Sequence, residues 1–352
     1  MNNNLFSSYY GAANGFTGFR SYFKDIFNPA DYTRIYVLKG GPGTGKSTIM
    51  KKILSSFKGP NYELEAVYCS SDPKSLDGVI IKNSSKKIAV LDGTAPHETD
   101  AKIPGAVDEV INLGEMWKRD VLIENREKIL TLNQNKTKAY KKAYEYLSLA
   151  GEFSKRIYLI TKKAYTGDFQ SNLKEIMFDI PDKIQGRKEF KGLLSSFSKY
   201  GYKRLNTNNI VCEKCISIDG RFSSEYVFMN YLKNEVERKN TDYCLFPSPY
   251  SDDLIEAIYL RETKTFIIAN DAAFQNKINT SDFLNNSIIR EYEEQLTYYS
   301  QQFDELLLRA KSEFLNASDF HFGLEAIYTP AMNFEKINHT TDKLIADISK
   351  LI

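Results

Sequence analysis

The chain is 352 residues long, 42% hydrophobic, with 47 basic against 45 acidic side chains and a net charge of +2. That length predicts two cores rather than one, and the near-neutral balance excludes a global electrostatic case for nucleic acid or an anionic membrane as partner. No apolar run reaches the roughly 18 residues of a membrane helix, the opening MNNNLFSSYYGAANGF lacks the layout of a secretory signal, and the cysteines are too sparse for a disulfide framework, so a cytoplasmic protein with reduced thiols is expected.

In chain order, the first strong signal is VLKGGPGTGKSTIMKKIL, residues 37–54. Gly40, Gly41, Pro42, Gly43, Thr44, Gly45, Lys46 and Ser47 fill every fixed position of G-x-x-x-x-G-K-[ST], the Walker A pattern, between an apolar strand and a helix. Glycines in such a loop let successive N–H groups turn inward onto phosphate oxygens at a helix N-terminus. Lys46 is then expected to bridge the β and γ phosphates, the Ser47 hydroxyl to ligate Mg²⁺, and Thr48 to sit near the α phosphate. ATP and Mg²⁺ are the expected ligands.

Next, CSSDPKSLDGVII carries Asp72 and Asp77, which either face the same site or punctuate turns. The run Lys87-Ile88-Ala89-Val90-Leu91-Asp92 has the form of a Walker B strand, placing Asp92 as catalytic acid and metal partner at a sheet's carboxyl edge. Gly93 stands where many ATPases carry a water-polarising glutamate, so a base must come from His97, Glu98, Asp100, Asp108 or Glu109, with His97 also a candidate γ-phosphate sensor.

Residues 122–165 show helical spacing without proline and predict one or two long helices, and residues 288–315 do the same. Lysines interleaved with tyrosines between Lys136 and Lys163 read as a solvated helix face rather than a nucleic-acid surface. The stretch from about 168 to 192, with Pro181, Asp182, Gln185, Gly186 and Arg187, reads as a connection between halves. Cys212 and Cys215 form a C-x-x-C without the second pair that structural zinc wants, and the histidines lie too far apart in sequence for a metal cluster.

The blocks VLKGGPGTGKSTIMKKI, VYCSSDPKSLDGVII and VLDGTAPHETDAKIPGAVDEVINLGEMW resemble a family of bacterial P-loop ATP-binding proteins built from two tandem nucleotide-binding halves. The resemblance spans roughly residues 35–117 and implies ATP as ligand and a tandem α/β architecture, but no substrate. It also implies an internal repeat. Leu5-Phe6-Ser7-Ser8 aligns with Leu193-Leu194-Ser195-Ser196, Gly15-Phe16 with Gly201-Tyr202, Gly40 with Gly220, Met50 with Met229, Ile80 with Ile258, Asp92 with Asn270 and Ala143 with Ala310. IDGRFSSEYVFMNYL then occupies the second phosphate-loop position, with Glu225 or Tyr226 in place of Lys46; an acid or a phenol cannot neutralise a triphosphate.

The sequence thus predicts two P-loop NTPase-like α/β domains with mainly parallel sheets, each bearing a long helical hairpin. An active unit is expected over 1–185 with its extension at about 118–167, and a degenerate pseudo-NTPase unit over 186–352 with its extension at about 286–317. The expected function is ATP hydrolysis coupled to conformational change. Alternatives are a small-molecule or nucleotide kinase, and an ATP-gated module binding a protein or nucleic acid.

Overall fold

The computed structural model describes residues 7–178, 180, 188–190, 192–207 and 210–352. Leu5, Phe6, Pro181, Asp182, Gln185, Gly186 and Arg187 lie outside the described residues. The protein is mixed α/β.

The first half runs β1 (Ser8–Tyr10), β2 (Ala12–Gly15), β3 (Gly18–Ser21), α1 (Phe23–Ile26), β4 (Arg34–Lys39), α2 (Lys46–Ser56), β5 (Glu63–Tyr68), β6 (Leu76–Lys82), β7 (Lys87–Asp92), β8 (Asp108–Asn112), α3 (Arg119–Glu124), α4 (Arg126–Ala164) and α5 (Gln170–Met177). The second runs β9 (Lys188–Phe190), β10 (Ser195–Ser198), β11 (Gly201–Arg204), β12 (Lys214–Asp219), α6 (Ser224–Arg238), β13 (Tyr243–Pro247), β14 (Ile255–Leu260), β15 (Thr265–Ala269), β16 (Lys277–Asn279), α7 (Asn286–Glu291), α8 (Glu293–Tyr328) and α9 (Phe334–Leu351).

Two six-stranded sheets result, ordered β1-β5-β6-β7-β4-β8 and β9-β13-β14-β15-β12-β16. The sequence reading expected mainly parallel sheets, and both are mixed. In each, a central antiparallel meander (β5-β6-β7, β13-β14-β15) is flanked by parallel pairings. Short turns join these meander strands, and short turns impose antiparallel pairing. The β4 residues alternate strictly: Tyr36 and Leu38 face α2, while Ile35 and Val37 face Phe23, Phe27 and Tyr32.

The two halves are related by position as well as by order. Tyr10 and Leu193 exchange both backbone hydrogen bonds (2.8 and 3.0 Å), and Tyr22 N–H to Gly11 C=O is repeated by Leu205 N–H to Leu194 C=O, which fixes 193 − 10 = 183 as the offset there. Leu193 therefore answers to Tyr10 rather than to Leu5, and Ser198, at the end of β10, answers to Gly15. In the ladder, Leu38 pairs with Asp92 and Ile218 pairs with Ala269, so Ala269 rather than Asn270 holds the register of Asp92. Asn270 takes the place of Gly93: their N–H groups donate to Ile218 and Leu38 C=O at 3.0 Å each.

The helical elaborations are single helices, not hairpins within each half. No proline interrupts α4, its only internal glycine, Gly151, is packed against Phe16, and α8 continues to Tyr328. The two lie antiparallel along their length, as Leu132 beside Gly323, Lys142 near Glu313, Phe153 against Tyr299 and Lys163 bonded to Tyr292 show. Ala143, Ala150, Ala310 and Ala317 are fully buried where the helices meet, since small side chains permit close approach. Tyr140 and Tyr144 pack on Phe314.

Each long helix carries the chain onto the opposite sheet. Met332 and the α9 residues Ile337, Leu344 and Ile348 complete the core around Tyr36, Met50 and Ile53, whereas Phe169 and the α5 residues Leu173 and Ile176 complete the core around Ile216, Phe228 and Ile258. The backbone repeats this exchange. Lys118 N–H donates to Ala331 C=O and Asn285 N–H to Ala164 C=O, both at 2.8 Å, and both sides differ by the same interval, 285 − 118 = 167 and 331 − 164 = 167. A cut near residue 185 therefore divides both cores.

The sulfurs of the C-x-x-C pair Cys212 and Cys215 are in contact at the start of β12, and Cys69 and Cys244 are free. Among the described residues no helix is long and apolar enough to cross a membrane.

Candidate functional site

The glycine-rich loop leaves β4 at its carboxyl end and enters α2 at Lys46. Gly43 (φ +69°) and Gly45 (φ +83°) are both in the left-handed region, where a Cβ is disfavoured. Thr44, almost fully buried, ties the loop to itself by donating its hydroxyl to Gly41 C=O at 2.9 Å. The Lys46 ammonium lies in the loop's concavity, donating to Gly40 C=O (2.5 Å) and Gly41 C=O (3.0 Å), and stands 3.6 Å from Asp92 Oδ2. Ser47 Oγ accepts from Leu76 N–H at 3.0 Å, so its own hydroxyl hydrogen remains available.

Asp92 reaches this point because β7 pairs directly with β4, with Asp92 opposite Leu38. Thr94 holds the carboxylate's other oxygen with its N–H (2.9 Å) and hydroxyl (2.5 Å). Gly93 is a packing requirement: a Cβ there would lie 2.3 Å from Val37 and 2.8 Å from Thr99 C=O. No glutamate fits after Asp92, which gives the sequence's missing base a steric cause.

Asp77 joins the site from β6. The ladder steps from Val67 opposite Gly78 to Tyr68 opposite Leu76, which leaves Asp77 in a bulge; bulges re-aim side chains in this way. Burial, and after it the Asp92 carboxylate, pushes the Asp77 carboxyl up to about 8. The Cys69 thiol lies beside it, and burial raises that thiol as well. His97, in the loop after β7, stacks on Phe23 (ring centroids 4.4 Å apart), stands 3.7 Å from Asp77 Oδ2, and is lowered from its ordinary pKa by burial.

The structure thus brings Lys46, Asp92, His97 and Asp77 together and places Gly40–Gly45 and Ser47 around them. Thr48 lies on the first turn of α2, exposed. The remaining sequence candidates have other tasks. Asp108 Oδ2 caps Lys102 N–H and Ile103 N–H at 2.7 Å each, Asp100 pairs with Lys39 at 2.7 Å, Asp72 caps Lys74 N–H at 3.1 Å, and Glu98 and Glu109 are exposed.

Sequence reasoning missed the part of the site that arrives from the second half. Thr329, just past α8, has its hydroxyl 2.4 Å from where a Cβ on Gly43 would stand, and Trp117 and Tyr328 flank Gly41. The Glu325 carboxylate lies near Gly43 and near His321, whose hydrogen bond is the main reason its carboxyl falls below the usual range. Only the 167-residue interval relating α4 to α8, followed through to the helix ends, pointed there.

The equivalent place in the second half is chemically different. Phe222 (φ +54°) and Ser223 (φ +62°) hold left-handed backbone without glycine. Glu225 faces Asn270 Nδ2 at 3.0 Å, much as Lys46 faces Asp92, and burial raises its carboxyl to about 7. Glu256 occupies the bulge equivalent to Asp77 and is fully buried against Arg204 Nε (2.8 Å), Tyr202 (2.6 Å) and Ser195.

Compared with protein-family models, with curated proteins and with solved structures, the chain matches none.

Proposed function

We propose that the first half binds ATP with Mg²⁺ and hydrolyses it, and that turnover is transmitted through the crossed helices to the second half. The observation that carries this reading is the Lys46 ammonium set between the glycine-rich loop and Asp92, 3.6 Å from the carboxylate. A triphosphate seated on the loop would take the place that Gly40 and Gly41 carbonyls now hold on Lys46. The donor set suits Mg²⁺, which favours oxygen ligands and keeps waters: the Ser47 hydroxyl and Asp92 would hold it, and the ion would neutralise charge on the phosphates. Lys46 would bridge phosphates, and the left-handed Gly43 and Gly45 would turn N–H groups inward.

Coupling is supported by Glu325 and Thr329. The Glu325 carboxylate near Gly43 and the Thr329 hydroxyl against it stand beside the loop that phosphate oxygens would enter, so nucleotide entry would compete with the end of α8. In the second half, the acid Glu225 opposite Asn270 supports a unit that has lost triphosphate binding while keeping its fold.

A second reading, phosphotransfer to a small acceptor, is favoured by Gly93, which sterically bars a glutamate after Asp92. ATP turnover by the purified protein, with Lys46→Ala as control and with and without a pooled panel of nucleosides and small metabolites, separates the two. Lys46-dependent turnover indifferent to the panel supports the ATPase. Turnover that needs the panel makes the protein a kinase, and absence of MgATP binding ends both readings.

A further inference from the structure

Asp77 from the β6 bulge, Asp92 from the end of β7 and His97 from the following loop each direct one ligand atom to a common point, all within 4.8 Å of one another. Asp77 is 5% exposed and His97 7%. One atom there lacks a hydrogen-bond partner, Asp77 Oδ2, and it faces His97 Nε2 at 3.7 Å. A buried carboxylate oxygen without a partner is costly, and a cation between it and His97 Nε2 would satisfy it.

We propose that Asp77, Asp92 and His97 form a transition-metal site that takes Mn²⁺ or Zn²⁺ in the absence of nucleotide and discriminates against Mg²⁺. The donor set gives the selectivity, because an imidazole beside carboxylates suits Mn²⁺ and Zn²⁺ while Mg²⁺ prefers oxygen alone. The spacing fits. Metal–ligand bonds of about 2.0–2.2 Å place neighbouring donors about 3–4 Å apart, and His97 and Asp77 already stand at 3.7 Å.

The supporting shell is in place as well. Thr94 orients Asp92 through Oδ1, and Phe23 fixes the plane of the His97 ring. Lys39 anchors the start of the intervening loop through Gly93 C=O at 2.8 Å. The second half serves as an internal control. Its bulge carboxylate, Glu256, is neutralised by the Arg204 guanidinium, and Ala269 stands where Asp92 would be. The first half brings no arginine to Asp77 among the described residues; its nearest fixed cation is Lys46, engaged with Asp92 and the loop.

The site shares Asp92 with the proposed nucleotide site but is independent of nucleotide, so the two readings fail separately. The test is titration of Mn²⁺ into the full-length, nucleotide-free protein, followed by the paramagnetic resonance signal of free Mn²⁺, with thermal unfolding of every variant to establish that it is folded. One Mn²⁺ per chain is expected, displaced by equimolar Zn²⁺ but not by equimolar Mg²⁺. Asp77→Asn and the conservative His97→Gln should each weaken binding by tenfold or more, while Glu98→Gln, exposed in the same loop, should not. Mn²⁺ bound equally by wild type and His97→Gln, or bound only when nucleotide is added, would overturn the site and leave the ATPase reading standing.

Discussion

The loops that enter α2 and α6 both turn through left-handed backbone and oppose each other in charge. In the first, left-handed conformations fall on Gly43 and Gly45; in the second they fall on Phe222 and Ser223, at a cost of about 1–2 kcal/mol per residue for an L side chain. The second loop holds left-handed backbone without glycine, beside an acid, Glu225, that bonds to Asn270. Strand, loop and helix are therefore held by the surrounding fold, and the ligand is chosen by the side chains placed on it. The first loop has Lys46 beside Asp92, the second Glu225 beside Asn270. Both are roofed by a helix from the opposite half: Thr329 rests on Gly43, and Thr161 Oγ1 donates to Phe222 C=O at 2.7 Å.

The strongest way to break this comparison is to separate the halves. A chain ending at residue 333 lacks α9, and with it Ile337, Leu344 and Ile348 from the first core. Loss of one buried Leu or Ile costs about 2–5 kcal/mol, against total stabilities of about 5–15 kcal/mol, so the shortened chain should lose cooperative folding of the first sheet. Amide hydrogen exchange reads this directly: β4 and β7 should lose protection. Full protection there would mean that the first core closes without the helix lent by the second half.

A smaller effect, confined to one loop, comes from Lys46→Ala. It should lower ATP turnover by roughly 10²–10³-fold, the usual consequence of removing a donor aimed at developing charge. Glu225→Ala should leave turnover unchanged, because its carboxylate serves Asn270 in the other half. Equal losses in both variants would place nucleotide chemistry in both loops.

How much of this was legible in the sequence depends on the range over which each feature is fixed. The loop from Gly40 to Ser47 and the strand ending at Asp92 were readable because each is set by adjacent residues. The register of Asp92 was read one residue off, onto Asn270, since β-ladder partners are fixed by hydrogen bonds across strands that sequence spacing does not show. Asp77 was left between site and turn because the bulge that aims it exists only when β5 lies alongside. The expected hairpins were single helices because whether a helical stretch folds back or runs on is decided by long-range packing, such as Gly151 against Phe16, which spacing does not show. The exchange of α5 and α9 had no local signal, since an amphipathic helix records that it must bury a face but not which sheet it meets.

Glu225 sharpens the contrast through pH. Burial raises its carboxyl from 4.5 to about 7 in the folded protein. The folded state therefore holds a proton that the unfolded state has released between those values. The associated stability is complete below the unfolded pKa and is lost as pH rises through about 7. The Glu225→Gln variant should remove this slope, so that its advantage over wild type grows from near zero at pH 4.5 to on the order of 3 kcal/mol at pH 8. Denaturant titrations at the two pH values measure the difference. Parallel stability profiles for wild type and variant would show that the second loop is hydrated at Glu225.

The smallest expected effect tests whether the second half acts on the first site. Glu325 places a carboxylate near Gly43, beside the loop that the proposed nucleotide would enter, and His321 helps to keep that carboxyl ionised. A ligand whose phosphates must approach an ionised carboxylate binds more weakly by that repulsion, about 1–2 kcal/mol. Glu325→Gln keeps the shape of the side chain and removes its charge, so ATP affinity should rise by roughly fivefold to thirtyfold. Calorimetric titration of both proteins with MgATP decides it. An unchanged affinity would mean that Glu325 yields without cost and that nucleotide entry does not work against the end of α8. A rise confined to pH values above the Glu325 pKa would identify the ionised carboxylate as the competing group, and the crossed helix as the element through which one half regulates the other.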